Sequence, residues 1–411
     1  MIKNFLGYKL TTLQTTVNEF KNTSSYTLLK LNETIFFPTI AGQVCDLGFV
    51  VHNEQKYAIL DLQLVDDEVI HKVELITDLV VGDSIVCELN IKHRNFVSAN
   101  HTAAHLFYDT VIEDFPDSQG QGYFNNERTI RLDMSIKQKI DSKEVAKITK
   151  RVIDKIGKKA QKIELFTTKQ IAQNEWGLST DFNEKSLGDD VRIVRFGDIS
   201  TQLCSGTHIN NTSEIELFCI FSIEKKGNNI YRFYAATTKE NLDKEVKLQQ
   251  AEQHAELEIL MNKYKTAKIK SSTVTKLLEE CQLNLKEYKI ILWKENLSKL
   301  KITVNDLLVE HDKKRRQQLI NKYINVKFEN KEDINYASIN DDEISIKDAQ
   351  QIADIILKNN PNSVIEFINL KDKTYLCKSN SIRSAIEIMQ KKEFNVKGGG
   401  TPKVAQGKII N

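Results

Sequence analysis

The stretch HTAAHLFYDTVIEDF, residues 101–115, decides how the chain is read. Its apolar residues recur at helical spacing, and a helix is expected to start near Ser98-Ala99-Asn100. Upstream, residues 1–95 read as a different kind of structure. IFFPTI, KYAILDLQLV, VIHKVELI and SIVCELNI are rich in β-branched and aromatic residues, punctuated by Gly42, Gly48, Gly82 and Asp66-Asp67. Short strands with turns between them predict a small β-barrel.

Downstream, residues 96–238 alternate. Strands are expected at TIRLDMS, KIELFTT, VRIVRF and near CSGTH, with a helix over SKEVAKITKRVIDKIGKKAQK. EIELFCIFSIEKK and NIYRFYAATT predict a hairpin around Gly227-Asn228-Asn229. Residues 239–326 turn helical. Leu257, Leu260, Tyr264 and Ala267 form one seam. Val274, Leu278, Cys281, Leu285, Tyr288 and Leu292 form another, both at a coiled-coil period. Ser271-Ser272-Thr273 interrupts them, so two antiparallel helices joined near 269–272 are expected, with one long helix as the alternative. ENKEDIN reads as a boundary linker. Residues 327–411 then predict a separate α/β domain, with helices SIKDAQQIADIILK and IRSAIEIMQKK and strands SVIEFINL and TYLCKS, closing on GGGTPKVAQG. The fold class is α+β.

Composition excludes several classes. The 411-residue chain is 40% hydrophobic and 28% charged with a formal net charge of +2, so nucleic-acid contact must come from local patches. No apolar run suits a membrane span and no signal peptide is apparent, so a cytoplasmic location is expected. The six cysteines are scattered, unlike a disulfide framework.

His101 and His105 lie four residues apart, which puts both imidazoles on one helix face. Cys204 and His208 repeat the spacing in CSGTH. Three nitrogens and a thiolate suit tetrahedral Zn²⁺, with bonds of about 2.0 Å to N and 2.3 Å to S. Either pair alone could be two chance neighbours. Both in one domain read as one zinc site, structural or catalytic.

These residues are similar to a known family. NHTAAHL at 100–106 and GDDVRIVRFGDISTQLCSGTHINNT at 188–212 resemble the two zinc motifs of the alanyl-tRNA synthetase editing domain. FFPTIAGQVCDLG at 36–48 resembles that family's glycine-rich loop, FLGY at 5–8 the segment that opens this region, and TIRLDMS the strand between the zinc motifs. GGGTPKVAQG at 398–407 resembles the signature of its C-terminal domain. Ala41, Ser205 and Thr401 stand where the family usually has Gly, Gly and Arg.

The resemblance implies one Zn²⁺ held by His101, His105, Cys204 and His208, and hydrolysis of Ser-tRNA(Ala) and Gly-tRNA(Ala) without an aminoacylation core. It places Gln43 at the pocket, with a turn-stabilising role as the alternative. Thr34 and Thr39 are nearby hydroxyls that could read serine, against a plain strand or turn role, and Asp46 reads as ordering the loop rather than acting as a base. Expected partners are mischarged tRNA(Ala), a separate aminoacylation subunit, and a second copy through the C-terminal domain.

Candidate tRNA contacts are Lys150, Arg151, Lys158 and Lys159, because residues 137–162 carry ten Lys/Arg against three Asp/Glu. Arg232, Gly398, Gly399, Gly400 and Lys403 are others, with Lys397 and Lys408 beside them. Lys313, Lys314, Arg315 and Arg316 form a further patch.

Overall fold

A computed structural model describes residues 2–178, 189–331 and 333–410. Gly188, at the head of the second zinc motif, lies outside them. The chain divides into two compact units, Met1–Leu257 with Ser272–Leu300, and Glu258–Ser271 with Lys301–Asn411.

The first unit opens on β1 (Thr12–Asn22), β2 (Tyr26–Leu31), β3 (Gly48–His52), β4 (Gln55–Val65), β5 (Glu68–Glu74) and β6 (Ser84–Leu89). They close into a barrel in the order β1-β2-β5-β4-β3-β6. Alternation explains the closure: Val17, Leu29, Val50, Ile59, Leu62, Val73 and Ile85 point inward and are buried. IFFPTI is not one of these strands, a correction to the sequence reading. Ile35, Phe36 and Phe37 are fully buried, but Pro38 has no N–H to give a ladder and the Phe37 N–H is spent on Asp46. Thr-rich β1, missed in the sequence, takes the ladder position instead.

Helix α1 (Ile91–Asp114) follows directly. It starts earlier than expected because Asn90 caps it, its side chain accepting from the His93 N–H at 3.1 Å. Next come β7 (Gln119–Asn125), β8 (Ile130–Ser135), α2 (Ser142–Gly157), β9 (Lys162–Thr168), α3 (Lys169–Trp176), β10 (Asp190–Phe196), β11 (Ser200–Leu203), β12 (Cys219–Lys225) and β13 (Ile230–Ala236). They form two antiparallel sheets, β12-β13-β8-β7 and β11-β10-β9. The expected β12–β13 hairpin is present, turning where Gly227 and Asn229 take positive φ. Ala103, Leu106, Phe107 and Val111 of α1 share one core with Leu132, Phe218 and Phe233.

Helices α4 (Lys239–Thr266), α5 (Ser272–Lys286) and α6 (Ile290–Tyr323) follow. The break near residue 270 was expected; the one at Tyr288 was not. Tyr288 sits at φ 54°, with the Lys289 N–H on the Asn284 carbonyl, so a left-handed cap without glycine ends α5 and splits the second seam.

In the second unit, β14 (Glu329–Lys331), β15 (Ile334–Asn340), α7 (Ile346–Asn359), β16 (Ser363–Asn369), β17 (Thr374–Ser379), α8 (Ala385–Gln390), β18 (Asn395–Gly400) and β19 (Val404–Ile410) build a sheet ordered β14-β15-β16-β17-β19-β18. Strands β15 and β16 are parallel, with α7 between them in sequence. The ENKEDIN segment contributes to the β14–β15 pairing rather than serving only as a linker. The Gly398–Gly400 run is strand, in register with Gly407, Gln406 and Ala405.

One buried ion pair fixes barrel to helix. Arg94 of α1 donates to Asp46 through Nε at 2.7 Å and through Nη2, and also to the Gly7 and Ile35 carbonyls at 2.6 and 3.0 Å. Asp46, 1% exposed, also accepts the Phe37 N–H, so it orders the loop as the sequence suggested. Replacing Arg94 by Met strands that carboxylate. A loss of about 3–5 kcal/mol in urea unfolding is expected, and a loss under about 1 kcal/mol would contradict the role.

Candidate metal centre

Two elements bring the four donors together. His101 and His105 project from consecutive turns of α1 into the core, their ring centroids 5.1 Å apart. Cys204 and His208 come from the turn after β11, which is seated by the Cys204 N–H on the Arg192 carbonyl at 2.9 Å. One ligand atom from each residue lies within 4.8 Å of the other three. A tetrahedral zinc with ordinary bonds would space its donors roughly 3.3–3.6 Å apart, which is compatible with this cluster. His101 Nε2 and Cys204 Sγ are 3.2 Å apart.

The protonation chemistry fits a cation. Burial holds His101 and His208 well below the usual imidazole range, and His105 at about 3, with like charges nearby adding to the effect. The three rings are therefore neutral and offer lone pairs. Burial raises the Cys204 thiol while the Arg192 guanidinium opposes the rise. His105 Nδ1 and His208 Nε2 are buried with no hydrogen-bond partner. Orphaned buried nitrogens are costly unless something ligates them.

Gln43 decides the tautomer of His101. Its Oε1 accepts the Thr207 backbone N–H at 3.0 Å, and a backbone N–H can only donate, so this atom is the oxygen. His101 Nδ1, 2.6 Å from the same oxygen, must then carry the proton and leave Nε2 free to ligate. Gln43 Nε2 donates to Thr207 Oγ1 at 3.0 Å, and Ser98 Oγ reaches that hydroxyl at 2.8 Å. Thr102 Oγ1 holds His208 Nδ1 at 3.1 Å.

The CSG turn is clamped carbonyl by carbonyl. Arg192 Nη1 donates to the Cys204 and Gly206 oxygens at 2.9 and 2.8 Å, and the Tyr8 hydroxyl donates to the Ser205 oxygen at 2.5 Å. Glu164 accepts from Arg192 Nη2 at 2.5 Å and from Lys162 at 2.8 Å. Gly206 is required by space: a Cβ there would lie 2.0 Å from His101 Cε1. Sequence reading missed Arg192, Tyr8 and Thr207. The available signal was an arginine inside the otherwise apolar strand VRIVRF.

Other expected site residues are placed differently. Thr34 is buried in the barrel, its hydroxyl 2.8 Å from His71 Nε2, and none of its bonds reaches the cluster. Thr39 accepts the Cys45 N–H. Ala41 takes φ 50°, the conformation in which a glycine would be relaxed, and Gly42 follows at 78°. Arg232 forms a two-pronged pair with Asp133 at 2.8 Å, within the sheet. Arg151 and Lys155 of α2 are paired with Glu113, and Arg151 also with Asp114, so part of that basic face is internally neutralised. Lys150 pairs with Asp154 and Lys158 with Asp198. Lys159 holds a positive φ. Arg315 and Arg316 both bond Asp348. Gly398–Gly400 lie on strand β18, which among the described residues pairs with β19 on one edge only. Lys403 is exposed in the turn between them.

Residues 191–234 match the threonyl and alanyl tRNA synthetase second additional domain. The chain is 29% identical over 92% of its length to an alanine–tRNA ligase of Mycoplasma capricolum subsp. capricolum, covering 44% of that protein. It is 27% identical to those of Mesomycoplasma hyopneumoniae and Mycoplasmopsis synoviae, over 99% and 98% of its length and 46% of theirs. The chain resembles the alanyl-tRNA synthetase family. It spans about half the length of the alanine–tRNA ligases it matches. The matched domain begins at Val191 and so takes in Arg192 and the whole CSGTH turn.

Two outcomes test the geometry. Gly206→Ala must push the His101 ring aside; expected is loss of tightly held divalent metal by elemental analysis, and full retention would contradict the packing. Asp109, one helical turn beyond His105, is raised to about 6 by burial, with the Gln202 amide at 2.6 Å opposing. Unfolded, it titrates near 4. The native state keeps its proton longer, so the stabilisation is present below about pH 4 and is lost as pH rises through about 6. Relative to wild type, Asp109→Asn is expected to gain stability across that window and then level off; a pH-independent difference would refute it.

Proposed function

We propose that this chain hydrolyses the ester bond of mischarged tRNA(Ala), releasing serine or glycine, with one zinc held by His101, His105, Cys204 and His208. The observation that carries the reading is the cluster of four donors, three of them buried, in a chain similar to alanine–tRNA ligases. Selection explains the need. A pocket for alanine cannot sterically exclude glycine and rejects a serine hydroxyl only about 10²-fold, so a second hydrolytic site must supply the rest.

Zinc, when bound, supplies Lewis acidity that polarises the ester carbonyl or makes water more acidic. The chain's own residues do the positioning. Gln43 fixes the His101 ring with Nε2 toward the site, Thr102 sets His208, and Arg192 and Tyr8 hold the turn that carries Cys204. Gln43 thereby acts on the ring rather than offering a free amide to the aminoacyl group. In this reading residues 96–238 form the editing domain, residues 239–326 a helical connection, and residues 327–411 a domain that contacts tRNA or pairs with a second copy. Lys150, Lys158, Lys159, Lys403 and the Gly398–Gly400 edge are the surfaces offered to phosphates. The same hydrolysis would serve whether the chain acts alone or beside an aminoacylation chain.

One observation favours a second reading. Four protein donors make a closed set, the usual pattern of structural zinc, whereas catalytic zinc commonly keeps three protein ligands and an open position. The chain would then be a tRNA-binding module. Deacylation separates the two: purified protein is expected to release serine and glycine from Ser-tRNA(Ala) and Gly-tRNA(Ala) in a zinc-dependent manner, and alanine from Ala-tRNA(Ala) far more slowly. Cys204→Ala should lower both bound zinc and turnover by at least about tenfold. Absence of zinc-dependent release by the wild type would leave only the structural reading.

A further inference from the structure

We propose that Phe166, with Tyr8 beside it, is a stacking platform for the 3′-terminal nucleobase of the RNA whose ester the metal centre receives. The inference rests on the editing reading above and adds the place where the nucleoside half of the substrate is held.

Strand β9 is the outer strand of the sheet β11-β10-β9, and Phe166 lies on it directly opposite Arg192. Residues opposite each other in an antiparallel pair project to the same face. Tyr8 packs on that face: the Arg192 guanidinium sits 4.0 Å from the Tyr8 ring centroid, and the Phe166 ring lies 6.4 Å from it. The Tyr8 hydroxyl ends on the Ser205 carbonyl, the residue next to Cys204. A continuous run therefore leads from the metal-ligand turn through Tyr8 to Phe166.

Phe166 is 54% exposed at the end of that run. A lone exposed aromatic is ordinary on a protein surface. This one is set apart by its neighbours, since one side chain separates it from the turn that carries two of the four donors. The substrate chemistry gives such a feature a use. The ester is made to a ribose hydroxyl, so the terminal base hangs from the same sugar and lies within one ribose of the bond to be cut. Every base has a π face, and stacking on an aromatic side chain holds it without sequence reading.

The test uses the full chain and an RNA hairpin of the tRNA(Ala) acceptor stem in which the terminal adenine is 2-aminopurine. Fluorescence quenching reports stacking of that base. Quenching is expected on binding to wild type and to Phe166→Trp. With Phe166→Ala it should be lost, and affinity should fall by roughly 5- to 150-fold, the range for one stacked base. Zinc content and melting temperature should not change, because the ring is half out of the core. Equal quenching in Phe166→Ala, binding without quenching in wild type, or no binding at all would each overturn the platform. So would a change in sedimentation of Phe166→Ala without a change in quenching, which would assign the ring to a contact between copies. Failure of the editing reading looks different: quenching lost in Phe166→Ala but no release of serine by the wild type.

Discussion

The structure of the first unit hangs on the amide of Gln43. It is completely buried, and its oxygen bonds both the His101 ring and the Thr207 N–H. A loop beside the barrel, the long helix and the CSGTH turn therefore meet at one side chain. The Asp46–Arg94 pair ties the same loop to the same helix three residues further along. An amide can do this because it offers acceptor and donor at once, and burial strengthens both bonds.

Around that point lies a set of four donors that could hold a cation. Three buried imidazoles and the partly exposed Cys204 thiol lie together, and the Arg192 guanidinium that acts on them is paired with Glu164. Arg192 favours the thiolate and simultaneously fixes the backbone that carries it. Buried donors without partners are costly unless something ligates them.

Much of this was legible in the sequence, and the reasons for the rest are physical. The four donors could be read because helical spacing and a Cys/His pair are local signals. The barrel could be read from strand composition, although IFFPTI was misassigned because a buried apolar run looks the same whether or not its N–H groups join a ladder. Partner identity was not local. Gln43 bonds residues 58 and 164 positions away, and Tyr8 bonds one 197 away. The basic surplus of α2 looked free for RNA only because Glu113 and Asp114, which absorb part of it, belong to the preceding helix. The stop at Tyr288 gave no glycine to announce it.

The proposed function rests on one tetrahedral site that joins Cys204 to the three histidines. Substituting cobalt(II) for zinc in the full chain and recording its absorption spectrum tests this most directly. Expected are the intense visible bands of a four-coordinate ion and a thiolate charge-transfer band that disappears in Cys204→Ser. A weak, six-coordinate spectrum, unchanged by that substitution, would contradict it.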